Sequence, residues 1–135
     1  MLKTIETLAK DLRPDFVIVE PTGMAVPGSV RETVLLLGRK SLAIEIGPTV
    51  VLLDVTRAEK LLTYETLKRL IATQLRDADI IALSKVDSAS VESAERAAGT
   101  VHDIDATAEI VRLSTRTGEG LSRLAEAVQR PAVHA

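Results

Sequence analysis

Apolar residues along the chain follow two periods that exchange with one another. Leu2, Ile5, Leu8, Ala9 and Leu12 recur at three- and four-residue spacing, so they share one face of a helix that ends before Pro14. Phe16-Val17-Ile18-Val19 is then a short unbroken apolar run closed by Glu20-Pro21-Thr22-Gly23, the pattern of a buried parallel strand opening into a turn. The same event recurs at Val50-Val51-Leu52-Leu53 before Asp54, at Ile80-Ile81-Ala82-Leu83 before Ser84, and at Ile110-Val111-Arg112-Leu113 before Ser114. Helical stretches at 28–38, 57–76, 89–99 and 120–129 separate these runs, and 41–46, with Leu42, Ile44 and Ile46 alternating, reads as an extra edge strand. Strand and helix in alternation predict an α/β fold with a mainly parallel sheet and flanking helices.

In open parallel sheets ligands bind beyond the carboxyl ends of the strands. Those ends carry Glu20, Asp54, Lys85 with Asp87, and Ser114, so the chemistry is expected there. The chain has 135 residues, the size of one domain, and the expected division is a domain over 1–130 with a fraying tail at 131–135. Seventeen Lys and Arg against nineteen Asp and Glu give a net charge of −2, which offers no basic field for nucleic acid or an anionic membrane. Phe16 and Tyr64 are the only aromatic residues, too few for a base-stacking platform. The absence of cysteine excludes disulfides, thiolate nucleophiles, iron–sulfur clusters and cysteine zinc sites within the chain. Met1-Leu2-Lys3-Thr4-Ile5-Glu6 carries an acid and no long apolar run, so neither a signal peptide nor a membrane anchor is expected, and the expected compartment is the cytoplasm.

The most specific chemistry lies at the last two strand ends. In Ser84-Lys85-Val86-Asp87 a carboxylate follows a lysine by two residues on a tight turn. A carboxylate accepts two hydrogen bonds from the N1–H and exocyclic amine of guanine, while a lysine stem lies along the plane of the base. Ser114-Thr115-Arg116-Thr117-Gly118-Glu119-Gly120 places a small-residue loop at the next strand end, where a backbone N–H can donate to the guanine carbonyl. A lone Lys-x-Asp also reads as a solvated turn with a helix cap; the second loop, at the consecutive strand end, favours base recognition.

On these residues the chain resembles the metallochaperone GTPases of the CobW-like branch, whose relatives serve urease and hydrogenase maturation. The resemblance covers residues 2–128. It rests on Asp15-Phe16-Val17-Ile18-Val19-Glu20-Pro21-Thr22-Gly23, similar to the family's Walker B and switch segment with Glu-x-x-Gly; on Leu53-Asp54-Val55; on residues 74–87, similar to Asn-Lys-x-Asp with its preceding helix; and on residues 114–120, similar to the Ser-Ala-Lys-Thr-Gly loop. The resemblance implies a P-loop NTPase-like fold that binds GTP or GDP with Mg²⁺. Glu20 would lie near the Mg²⁺ and the attacking water, Thr22 and Gly23 near the terminal phosphate, and Ser84, Lys85, Asp87, Ser114 and Thr115 around the guanine.

Departures from the family pattern shape the rest of the expectation. Ser84 replaces the usual Asn, and Thr115-Arg116 replaces Ala-Lys. The first strand with its phosphate loop, Gly-x-x-x-x-Gly-Lys-Ser/Thr, would lie upstream of Leu2, and the family's Cys-x-Cys-Cys metal motif is absent. Any transition-metal cargo is therefore not bound by cysteine here. The phosphate-loop strand would sit between the strands ending at Glu20 and Asp54; a second chain supplies it, the protein forms a homodimer, or the two flanking strands pair directly. The expected partners are guanine nucleotide and a client metalloenzyme. The reading from a different class is a non-catalytic protein-interaction module derived from a GTPase domain.

Three weaker features complete the reading. Gly23-Met24-Ala25-Val26-Pro27-Gly28-Ser29 has the glycine spacing of a phosphate loop but skips its lysine, and reads as a switch-like turn. His102, Asp103 and Asp105 read as a solvated loop rather than metal ligands. Asp54 and Lys85 at successive strand ends also fit a receiver-like domain, although the acidic pair of such domains is missing at the first strand end.

Overall fold

The first helix, α1 (Leu2–Asp11), ends where Pro14 demands, its last turn closed by Leu12 N–H donating to the Leu8 carbonyl at 3.0 Å. The computed structural model describes residues 2–38 and 44–132. They fall into two units that meet in sequence between Ile46 and Gly47.

In the first unit α1 buries Ile5 and packs against α2 (Pro27–Gly38), which begins on a proline, a residue suited to the first helical turn because no N–H is needed there. The run 16–19, expected as a buried parallel strand, is irregular and open to solvent: Phe16 is 77 % and Ile18 94 % exposed. Aromatic and β-branched residues favour an extended chain, but a strand exists only with a ladder partner, and the described sheet offers this run none. The proposed edge strand at 41–46 lies partly outside the described residues, and Ile44, Glu45 and Ile46 form no strand.

The second unit holds β1 (Val50–Asp54), α3 (Ala58–Thr63), α4 (Glu65–Arg76), β2 (Ile80–Ser84), α5 (Val91–Ile104), β3 (Glu109–Leu113) and α6 (Leu121–Ala127). The three strands form a parallel sheet in the order β1-β2-β3, with Asp54 beside Ser84 and Ser84 beside Leu113. The fold is thus α/β with a parallel sheet and flanking helices. The stretch at 57–76 is two helices rather than one, because Tyr64 is extended (φ −87°, ψ 115°) between them. The helix expected at 89–99 starts later and runs on to Ile104, with Ser90 Oγ capping it by accepting from Ser93 N–H at 3.2 Å. His102 and Asp103 therefore lie in its last turn, not in a loop.

Only β2 is buried along its apolar length, as a central strand covered on both faces must be. Ile81 and Leu83 join Leu53, Leu75, Ala97 and Val101 on one face, whereas Ile80 meets Val111 and Ala127 on the other. Asp79 ties the strand starts together: its buried carboxylate accepts from Thr49 N–H at 2.7 Å, its N–H donates to the Thr49 carbonyl at 3.0 Å, and its carbonyl accepts from Glu109 N–H at 3.0 Å. β1 is an edge strand, so its run is one-sided: Leu53 is 5 % exposed and its neighbour Leu52 62 %. Among the described residues the sheet holds β1 to β3 alone.

This alternation makes Leu53→Ala and Leu52→Ala a matched pair. Leu53→Ala is expected to destabilise by about 2–5 kcal/mol through lost burial and a cavity, and Leu52→Ala by under about 1 kcal/mol, as read by urea denaturation.

Candidate functional site

The parallel register brings three chain reversals to one edge of the sheet. After β1, Asp54 turns the chain with an Asx arrangement in which Thr56 N–H and Oγ1 donate to its Oδ1 at 3.0 and 2.5 Å. After β2, Ser84 Oγ donates to the Leu53 carbonyl at 3.3 Å, tying this loop to the neighbouring strand. Lys85 then takes a left-handed conformation (φ 60°, ψ 35°), and Ser88 N–H donates to its carbonyl at 3.0 Å, closing a single 3₁₀ turn at Val86–Ser88. That reversal presents the Asp87 carboxylate to the loop that follows β3.

The third reversal is the most closely specified. Ser114 is fully buried, and its Oγ accepts from Thr117 N–H at 3.1 Å while donating to Asp87 Oδ1 at 2.6 Å. Its backbone N–H donates to the Glu119 carbonyl at 3.0 Å and its carbonyl accepts from Gly118 N–H at 2.9 Å. Gly120 closes the loop at φ 74°, where a Cβ would stand 1.8 Å from the Arg112 carbonyl oxygen, so no other residue fits. Thr115, at the exposed tip, leaves its backbone N–H without a hydrogen bond among the described residues.

Two carboxylates dominate the electrostatics. Partial burial pushes the Asp54 carboxyl up, but hydrogen bonds from Lys85 and Thr56 outweigh it and hold the group below the usual carboxylate range. Lys85 Nζ donates to Asp54 Oδ2 at 2.7 Å, so the ammonium is anchored on the neighbouring strand end. Asp87 is also held below its ordinary value, chiefly by the hydrogen bond from Ser114, with Ser88 and the Arg116 guanidinium adding to it. Ser88 Oγ donates to Asp87 Oδ2 at 3.0 Å and Arg116 Nε lies 3.3 Å from the same oxygen. A cleft of about 490 Å³ opens alongside between α3, α4 and α5; Thr56 and Ser88 line it, but Asp54, Lys85, Asp87 and Ser114 do not.

Of the residues singled out from sequence, Ser84, Lys85, Asp87, Ser114 and Thr115 gather at this edge. Glu20, Thr22 and Gly23 belong to the first unit, where Ala25 N–H donates to the Thr22 carbonyl at 2.8 Å and a Cβ on Gly23 would meet no atom within 4 Å. Glu20 is exposed, with no hydrogen bond or ion pair among the described residues. Sequence reading missed that Asp54 anchors Lys85 and that Arg116 covers Asp87. Both were visible as charged residues at adjacent strand ends, but pairing requires the register. His102, Asp103 and Asp105 join no group of three or more potential metal ligands among the described residues.

The family model for the CobW/HypB/UreG nucleotide-binding domain matches residues 1–112. The chain belongs to this family. It is accordingly a nucleotide-binding domain of GTPase type, which displaces the receiver-like reading of Asp54 and Lys85. No curated protein matches the chain. The loop at 114–120 follows the matched stretch, and Ser114 in it hydrogen-bonds Asp87 within that stretch. No helix among the described residues is long and apolar enough to cross a membrane.

A carboxyl whose folded pKa is depressed contributes stability that is present above its unfolded value and lost as pH falls through the folded one. The contribution of Asp54 and Asp87 is therefore complete above the ordinary value of 3.8 and disappears below it. Ser114→Ala should raise the Asp87 pKa towards 3.8 and leave Asp54 unmoved, as followed by carboxyl ¹³C NMR titration.

Proposed function

We propose that the chain is the base-recognition and switch half of a GTPase-type site, with Asp87 as the guanine selector. The hydrogen bond from buried Ser114 to Asp87, between successive strand ends, is the observation that supports this most. It fixes one carboxylate oxygen by a group that cannot itself reach solvent, so the carboxylate is oriented before a base arrives. Guanine offers N1–H and the 2-amino group to such an acceptor pair. Adenine has a lone pair at N1 and no 2-amino group, so it would leave the carboxylate facing an acceptor. The free Thr115 N–H is the donor for the guanine carbonyl, and Lys85, tethered by Asp54, lays its stem beside the base.

Phosphates need a further part. The 135 residues contain no Gly-x-x-x-x-Gly-Lys-Ser/Thr, and the one Gly-x-x-x-x-Gly, from Gly23 to Gly28, is followed by Ser29. A second chain supplies the phosphate-loop strand in this reading, with the β1 edge as a natural place to add it. Mg²⁺, when bound, draws most of its ligands from phosphate oxygens and water and neutralises their charge. Exposed and unengaged, Glu20 fits as the carboxylate that orients its water shell, with Thr22 and Gly23 beside the terminal phosphate. Coupled to that cycle, the domain serves metal delivery to a client metalloenzyme, with the transition-metal ion as cargo held by groups other than cysteine.

A second reading draws on the exposed Phe16 and Ile18: a module that keeps the fold, has lost turnover and binds a protein partner. Calorimetric titration with GDP, and with GTP plus Mg²⁺, separates the two, using ATP as the control. Asp87→Ala is expected to weaken GDP binding at least about tenfold, without changing the weak ATP signal. GDP binding equal to the parent's would overturn the base-recognition assignment, and a folded parent that binds no nucleotide would favour the interaction module.

A further inference from the structure

The carboxylate read above as the guanine selector is already occupied. Asp87 Oδ1 accepts from Ser114, and Oδ2 accepts from Ser88 with the Arg116 guanidinium 3.3 Å away. Its side chain is only 13 % exposed, although the residue as a whole is open to solvent. The three partners are not equivalent. Ser114 is buried and fixed by the turn of its own loop; Ser88 is the next residue in the chain and closes the 3₁₀ turn; Arg116 stands 78 % exposed at the tip of the opposite loop. Arg116 is thus the partner most easily displaced.

The chemistry of that partner is specific. The N1–C2–N2 edge of guanine is itself a guanidine fragment, with N–H donors side by side on one carbon. An arginine side chain presents the same kind of edge to the same kind of acceptor. Asp87 Oδ2 accepts a hydrogen bond from Ser88, and the Arg116 guanidinium stands 3.3 Å from the same oxygen as its ion-pair partner. A base that donates to both carboxylate oxygens must therefore compete with the guanidinium at Oδ2.

We propose that Arg116 is an intramolecular stand-in for guanine, a competitor that covers Asp87 in the empty site and is displaced when the base docks. The inference rests on the assignment of Asp87 as base selector and adds Arg116 to it as a specificity-determining residue. Guanine brings the paired N–H donors that can take the place of Arg116 and adenine does not, so the competition lowers the affinity for guanine and leaves that for adenine unchanged. The exposed pair is weak, which keeps the barrier small: removing it should raise guanine affinity by about two- to fivefold.

The test is titration of the ¹⁵N-labelled chain with GDP and, separately, ADP, comparing the parent with Arg116→Ala, Arg116→Lys and Asp87→Ala. The readout is the ratio of GDP to ADP affinity, which cancels the loss of one positive charge near the phosphates. Arg116→Ala should raise GDP affinity relative to ADP by about two- to fivefold. Arg116→Lys, which keeps the charge but not the planar edge, should fall between Arg116→Ala and the parent, and Asp87→Ala should bring the ratio close to one. A ratio that is unchanged or lower in Arg116→Ala, yet still lost in Asp87→Ala, overturns the competition and leaves the selector intact. A ratio unaffected by Asp87→Ala, or absence of GDP-dependent shifts in every variant, overturns the selector and the competitor with it.

Discussion

Everything at the candidate site depends on β2 and β3 running parallel with Ser84 beside Leu113. That single register sets the loop after one strand against the loop after the next, and so lets a fully buried serine reach the Asp87 carboxylate at 2.6 Å. A shift of one residue would turn Ile81 and Leu83 out of their core and move the reversal after β2 away from its partner. The register is held from below by Asp79, which engages the starts of β1 and β3, and from above by Gly120, where the chain passes too close to the Arg112 carbonyl for a side chain to exist. Stability and site geometry are therefore set by the same contacts.

Burial explains which parts of the fold could be read directly from the residues. The runs ending at Asp54, Ser84 and Leu113 became strands because each has a neighbour to pair with and at least one apolar face to cover. Residues 16–19 carry an equally strong strand signal and form none, since apolar composition records what a segment would do beside a partner and not whether one is present. Periodicity likewise gave one helix over 57–76, and neither Gly nor Pro marks the break at Tyr64. The edge character of β1 was hidden for the same reason: Leu52 and Leu53 are identical as letters and differ only in which face of the sheet they occupy.

The candidate site divides along a similar line. Spacing alone brought Lys85, Asp87 and Ser114 to attention, because tight turns at consecutive strand ends are a local property. What each side chain touches is a property of neighbouring strands. Lys85 turns its ammonium to Asp54, and Arg116 turns to Asp87, through contacts spanning 31 residues in the first case and the two loops of the site in the second. Both carboxylates are held below the usual carboxylate range, and the more exposed of the two cations pairs with Asp87.

The most direct measurement of the central claim is where guanine nucleotide touches the protein, mapped by amide chemical shifts on the ¹⁵N-labelled chain as GDP is added. The account predicts perturbations concentrated at Lys85 to Ser88 and at Ser114 to Thr117, with the Thr115 amide moving downfield and ADP reproducing none of these. Shifts confined to the cleft between α3, α4 and α5, or equal shifts with GDP and ADP at the strand ends, would contradict it.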